Sequence, residues 1–178
     1  MDIRIAKTEA AVKAAFYALR SKKNLEKITV KELCTLAQVN KSTFYAHYAD
    51  VYALSEAMQR ELVGEVLETI AADPIFSIGE SGQFVRSLFR GAHGEAVAVL
   101  FSGKEQGSMV EQLEKGIKTL ICREYPGILN DTERQAVQSY TIYGGYYAYR
   151  LYHEADEATA MRAIEKISDR VRPLYSGG

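Results

Sequence analysis

The chain has 178 residues, 47% of them hydrophobic and 25% charged, a balance that predicts a packed globular core and excludes a disordered or fibrous chain. No apolar run is long enough to span a bilayer, and the charged opening MDIRIAKTEA lacks a secretory h-region, so a cytoplasmic protein with two reduced, buried thiols (Cys34 and Cys122) is expected. The net charge of −1 is unevenly spread: residues 1–54 hold nine Lys and Arg against five acids, a net of +4, and the remainder 13 against 18, a net of −5, which suits a polyanion at one end only.

Residues 3–22 repeat apolar groups at helical spacing (Ile5, Val12, Ala15, Phe16, Leu19), and the basic stretch RSKKNLEK ends the pattern. Thr29-Val30-Lys31-Glu32 reads as a capping box, with Thr29 as N-cap, Glu32 reaching back, and Ile28 and Leu33 as the hydrophobic staple. Asn40 offers a second N-cap, with Val39 and Phe44 as its staple, and Asp50 a third, followed by the stripe Leu54, Met58, Leu62 and Val66. Three helix starts thus fall within about twenty residues, and the two short helices they define flank a turn at Gln38-Val39.

AADPIFSIGESG reads as a loop, helical spacing resumes at Phe84–Arg90 and Ala96–Phe101, and GKEQGS reads as a turn. Val110, Leu113, Ile117, Leu120 and Ile121 mark a further amphipathic helix stopped by Pro126-Gly127; Asn130-Asp131-Thr132-Glu133 opens a long helix through about His153. Asp156 starts the last helix, striped by Met161, Ile164, Ile167, Val171 and Leu174. No segment alternates with period two over a strand's length, so the fold class is all-α: a three-helix N-terminal domain (1–49) joined to a larger helical domain (50–178), about nine helices in all.

Two short helices around a tight turn, preceded by a longer one, make a helix-turn-helix. The second of them, Lys41–His47, has the composition of a reader: Lys41, Ser42 and Thr43 at the end that points into a major groove, beside backbone N–H groups that favour a phosphate. Phe44 and Tyr48, four apart, belong to the core; Tyr45 and His47 lie off that face, within reach of phosphates. A plain three-helix bundle with Ser and Thr merely starting a helix has the same spacing.

The string ITVKELCTLAQVNKSTFYAHYADVYAL resembles the DNA-binding signature of the TetR family. That signature has a T-V-x-x-[IL] opening, an Ala before the turn, and a [ST]-x-[FY]-Y-x-[HY]-[FY] helix leading to an acid and a Leu. Thr29, Val30, Leu33, Ala37, Val39, Ser42, Thr43, Phe44, Tyr45, His47, Tyr48, Asp50 and Leu54 match it, within a stretch of about residues 8–54. The resemblance implies that Thr29, Lys41, Thr43, Tyr45 and His47 touch DNA; Ser42, at the head of the same helix, and Lys31 on the preceding one join the candidate set. It also implies a homodimer that reads a palindromic double-stranded operator, acts as a repressor and answers to a small effector. Two positions depart from the pattern: the turn carries Gln38 where many members carry Gly for its positive φ, and Val51 stands where many carry a phosphate-contacting Lys, a contact that Tyr52 or Lys31 would have to supply.

In SYTIYGGYYAYRLYHE, Tyr140, Tyr143 and Tyr147 share one helical face and Ile142, Tyr146 and Tyr149 another, so the helix needs cover on two sides. The first face, with Leu62, Val66, Phe84, Phe89 and Phe101, is a candidate effector pocket; plain core is the alternative. The second face, with Gly145, Tyr146, Tyr149, Ile164, Ile167 and Val171, is a candidate dimer interface, Gly144-Gly145 permitting a close crossing; a crossing within the chain is the alternative. A small, mostly apolar or aromatic effector would act by tilting helix 51–70. His93 and His153 lack partners at metal-ligand spacing, and no Gly-rich phosphate loop, G-x-S-x-G or H-E-x-x-H occurs. No metal, cofactor or enzyme activity is expected. A DNA-binding regulator without a small ligand is the competing function; a helical enzyme with an incidental helix-turn-helix is a third.

Overall fold

The fold was analysed in a computed structural model, which describes residues 3–72, 93–103, 106–124, 131–171 and 173–176. The helices are α1 (Ile3–Arg20), α2 (Val30–Ala37), α3 (Lys41–His47), α4 (Val51–Ala72), α5 (Gly94–Leu100), α6 (Gln106–Glu124), α7 (Thr132–Val171) and α8 (Pro173–Ser176), with one 3-10 turn at Leu25–Lys27. No strand occurs among the described residues, and none of their helices is long and apolar enough to cross a membrane.

The helix boundaries follow from side chains that satisfy the orphan N–H groups of a first turn. Thr29 Oγ1 accepts from Glu32 N at 3.3 Å while Glu32 Oε2 accepts from Thr29 N at 3.0 Å, the reciprocal capping box; Ile28 and Leu33, its staple, are both buried. Asp50 Oδ1 accepts from Ala53 N at 2.8 Å at the head of α4, and Asp131 Oδ1 from Arg134 N at 3.0 Å at the head of α7. Asp156 has a non-helical backbone (φ −159°, ψ 90°) inside α7 and takes Thr159 N at 2.9 Å, so it ends one helical arm and caps the next. Asn40 has an extended backbone suited to an N-cap, but its side chain makes no cap bond; only its carbonyl serves α3, accepting from Phe44 N at 3.1 Å.

The chain packs as two compact units, Met1–Leu62 with Ala96–Gln106, and Val63–Glu95 with Gly107–Gly178. In the first, α1 packs on α2 and α2 on α3, around a core that includes Val12, Phe16, Leu25, Leu33, Phe44, Tyr48 and Leu54. Cys34 is a free thiol buried in this unit. The first unit takes in the beginning of α4 as far as Leu62: Val51 and Leu54 are buried, and Glu61 takes Lys13 of α1 at 2.6 Å. The last turn of α5 is fastened in the same unit. The buried guanidinium of Arg20 donates to Lys23 O at 3.3 Å and Ser102 O at 2.8 Å, and buried Gln59 donates to Leu100 O at 3.0 Å.

The second unit buries Val66, Ile70, Met109, Val110, Leu113, Ile117, Ile142, Tyr146, Tyr149, Met161 and Ile164. A Cβ at Gly116 of α6 would stand 2.1 Å from Leu67 Cδ1 of α4, so glycine permits that close crossing. A polar cluster joins α6 to α7: Glu114 accepts from Ser139 Oγ and from Tyr143 OH, the latter at 3.3 Å, and pairs with Lys118 at 2.8 Å. Gln106, Gly107 and Ser108, expected in a turn, are the first residues of α6, and Gly103 has φ 70°. The expected helix at Phe84–Arg90 and the stop at Pro126-Gly127 lie outside the described residues, as does the side chain of Cys122.

Candidate nucleic-acid interface

Three residues, Gln38-Val39-Asn40, join α2 to α3. Gln38 is left-handed (φ 56°, ψ 41°), the conformation that closes a helix C-terminus and normally selects Gly. Its N–H turns back to Cys34 O and Thr35 O, and Val39 N reaches Cys34 O at 3.0 Å. The turn is therefore as tight as a glycine would make it, with the strain carried by an exposed Gln.

The inner face of α3 is fixed by Phe44, fully buried, and by Tyr48 just past its end, whose rings stand 5.8 Å apart. Burial pushes the Tyr48 phenol above its ordinary range, with Lys13 pulling the other way. The opposite face is open. Lys41 and Ser42 are exposed at the head of α3, Thr43 is half-buried and Tyr45 is 54% exposed. Lys31 is exposed on α2. The Thr29 hydroxyl is occupied internally, donating to Glu32 Oε2 at 2.8 Å and accepting from Glu32 N. Glu32 also holds Lys23 at 2.6 Å; the Lys23 and Thr29 hydrogen bonds pull its carboxyl from 4.5 down to about 2. His47 is only partly accessible and turns its Nδ1 toward Glu9 of α1 at 3.6 Å. At the head of α4, Val51 is buried and offers nothing to a phosphate, whereas its neighbour Tyr52 is 52% exposed.

An array of this kind presents one ammonium, a hydroxyl and a phenol from a seven-residue helix, with a second ammonium from α2. That is a surface for anionic oxygen, and its chemistry is hydrogen bonding rather than proton transfer or nucleophilic attack. Among the described residues no group of three or more His, Cys, Asp and Glu could hold a metal.

The aromatic residues of α7 are distributed differently from the expectation. Tyr146 is 2% exposed, and Tyr149, Gly145 and Ile164 are also buried within their own unit. Tyr140, expected in a pocket, is 69% exposed; Tyr147 and Ile167 are exposed too, and Val171 is half-buried. Tyr143 lies between, its hydroxyl on Glu114 and its phenol raised by burial and then by that carboxylate. The reason is that both faces of α7 are apolar, and spacing alone does not say which one the chain covers. Leu62 and Phe101 are buried in the first unit and Val66 in the second, while Phe84 and Phe89 lie outside the described residues. Along the open face, Tyr140, Gly144 and Ala148 of the first arm of α7 and Ile164 and Ile167 of the second border an apolar groove of about 210 Å³.

Sequence reasoning missed three groups: the Arg20 and Gln59 anchors of α5, the Glu9 partner of His47, and Gln138, a buried amide on α7 whose Nε2 has no acceptor among the described residues. The Arg20, Gln59 and His47 pairings span long stretches of chain, and the burial of Gln138 depends on distant segments, so none leaves a local pattern.

No family model and no curated relative matches the chain. Among solved structures it is similar to the crystal structure of the TetR family repressor AlkX from Dietzia sp. strain DQ12-45-1b, implicated in biodegradation of n-alkanes. The match covers 93% of this chain and 95% of that one, at 16% identity and a TM-score of 0.50. The chain thus has a TetR-like helical fold.

Proposed function

We propose that this chain is a TetR-type transcriptional regulator, a cytoplasmic repressor that binds a partly palindromic operator as a homodimer. Residues 1–49 form the helix-turn-helix domain and residues 50–178 the effector-binding and dimerisation domain. The observation that carries the reading is α3 itself: a short helix locked by Phe44 and Tyr48 behind a left-handed turn, presenting Lys41, Ser42 and Tyr45 to solvent. Thr43, Lys31, His47 and Thr29 complete the contact set, with Thr29 contributing mainly by holding the head of α2. Tyr52 takes over the contact that Val51 gives up.

The dimer forms through the open face of α7. Tyr140, Gly144 and Ile167 are exposed and apolar or small, and a Cβ on Gly144 meets nothing within 4 Å in the single chain. That leaves room for a partner helix to approach closely, two helical arms from each copy making a four-helix contact. Ile167→Glu should give a monomer at micromolar concentration with an unchanged helical spectrum.

Effector control acts through α4 and α5. Both helices begin in one unit and end in the other, and the end of α5 is tied to α1 and α4 by Arg20 and Gln59. A small, mostly apolar ligand binding in the second unit would bias these helices, and a coupling of about 1–3 kcal/mol is enough to change operator affinity roughly 5–150-fold. Gln138, whose Nε2 has no acceptor among the described residues, is the polar contact such a ligand would find. A regulator without a small ligand is the second reading; the exposure of Tyr140 and Tyr147 favours it, since neither is buried in an enclosed cavity among the described residues.

The test is selection from a random duplex pool. An enriched sequence with two half-sites about 34–36 Å apart, or somewhat more, is expected, and Lys41→Ala and Tyr45→Ala should weaken its binding. Selection that enriches nothing at low salt would overturn the reading.

A further inference from the structure

The reader helix ends on a titratable group that faces a carboxylate from another helix. His47 Nδ1 lies 3.6 Å from Glu9 Oε1, with only 18% of the His47 side chain exposed. That distance is too long for a good hydrogen bond and suits an ion pair if the ring is charged. Three other groups belong to the same cluster. Lys13, one turn along α1 from Glu9, gives its ammonium to both oxygens of Glu61 on α4, at 2.6 and 2.8 Å. Tyr48, next to His47, is a buried phenol whose raised value keeps it neutral.

The charges can be counted. Glu9 and Glu61 supply two negative charges, and Lys13 supplies one permanent positive charge, hydrogen-bonded to Glu61. Glu9 shares the charge of Lys13 with Glu61 and faces, in His47, a second partner that is a cation only when it carries a proton. With the imidazole neutral the cluster is −1, beside a face that must meet phosphate; with the imidazole charged it is zero. An imidazolium also donates from both nitrogens, so one ring can face Glu9 through Nδ1 and a phosphate through Nε2.

We propose that DNA binding by this chain is coupled to uptake of a proton at His47, with Glu9 as the positioning residue that holds the ring for it. The proposal rests on the reading of α3 as the DNA reader. An arriving phosphate adds a second negative charge near the ring and favours its protonated form. By linkage, a site that gains a proton on binding makes the complex tighter as pH falls through the ordinary imidazole range, between about pH 5 and 8.

The experiment is titration of the full-length protein with a short mixed-sequence duplex at low salt, across that range, alongside NMR titration of the His47 ring with and without the duplex. Affinity should rise about fivefold on acidification, the fold-change that corresponds to about 1 kcal/mol at 25 °C. His47→Gln should bind with little dependence on pH. Glu9→Gln should bind at least as tightly as the parent at the alkaline end, since a negative charge is gone. Its gain on acidification should be smaller than the parent's, because the carboxylate that faces the charged ring is gone; a purely structural role for Glu9 would not change that gain. Duplex binding that is flat with pH, or a His47→Gln variant that keeps the parent's full pH dependence, overturns the proton coupling and leaves the DNA-binding reading standing. Absence of duplex binding at every pH overturns both.

Discussion

Replacing Gln38 by glycine tests the origin of the turn between α2 and α3. Gln38 sits at φ 56°, ψ 41°, where a Cβ crowds the following carbonyl and costs about 1–2 kcal/mol. Glycine removes that cost but adds chain entropy to the unfolded state, worth about 0.5–1 kcal/mol. The Gln38 side chain is exposed, and its backbone bonds to Cys34 O and Thr35 O survive the change, so little else enters. The net expectation for Gln38→Gly is a gain of about 0.5–1 kcal/mol. With a urea dependence of about 2 kcal/mol per molar, the midpoint rises by about 0.3–0.5 M. Gln38→Ala, which keeps the Cβ, should leave the midpoint near the parent's, and Gln38→Val should lower it. Equilibrium urea unfolding followed by helical circular dichroism measures all three. A glycine variant no more stable than the parent, or an alanine variant that gains as much as glycine, would refute the claim that this backbone is strained.

Thr29→Ala removes the Oγ1 half of the capping box and leaves the backbone N–H of residue 29 on Glu32; it should cost about 1 kcal/mol in the same assay. Glu32 is a carboxylate whose folded value is lowered to about 2 from 4.5, so its stabilising effect is fully present above about pH 4.5 and is lost as pH falls toward 2; the gap in thermal midpoint between the parent and Glu32→Gln should be open at neutral pH and close in acid. Arg20→Met leaves Lys23 O and Ser102 O without their charged donor and should destabilise by about 2–3 kcal/mol in urea unfolding. Gln138→Leu replaces a buried amide whose Nε2 lacks an acceptor among the described residues; it should leave the ligand-free protein as stable or more so, while a compound that raises the parent's thermal midpoint should lose most of that effect on the variant.

The features legible in the sequence were the local ones. Thr29 with Glu32, Asp50, Asp131 and Asp156 each cap a helix, because a cap is a contract between residues three apart and needs no knowledge of the rest of the chain. The separation of Phe44 and Tyr48 from Tyr45 follows from helical period alone. Asn40 shows the limit of the same logic: the right residue stands in the right backbone, yet its side chain forms no cap bond. The two faces of α7 were visible as apolar stripes, but which stripe the chain covers depends on distant segments. So Tyr146 went inside and Tyr140 outside, against expectation. Gln106-Gly107-Ser108 looked like turn residues and fold as the head of α6, tertiary context overriding composition. The Arg20–Ser102 and His47–Glu9 pairs leave no trace in spacing.

Cys34, buried beside Leu33 in α2, gives the first unit an internal clock. A thiol reagent can reach its Sγ only when this part of the chain opens, so in a Cys122→Ser background the alkylation rate reports how often α2 leaves its packing. Under conditions where reclosing outruns labelling, the ratio of that rate to the rate for an exposed thiol is an equilibrium constant for local opening. Measured with and without a DNA duplex, it would show how much of any binding energy goes into holding α2 in place, a quantity that affinity alone does not separate.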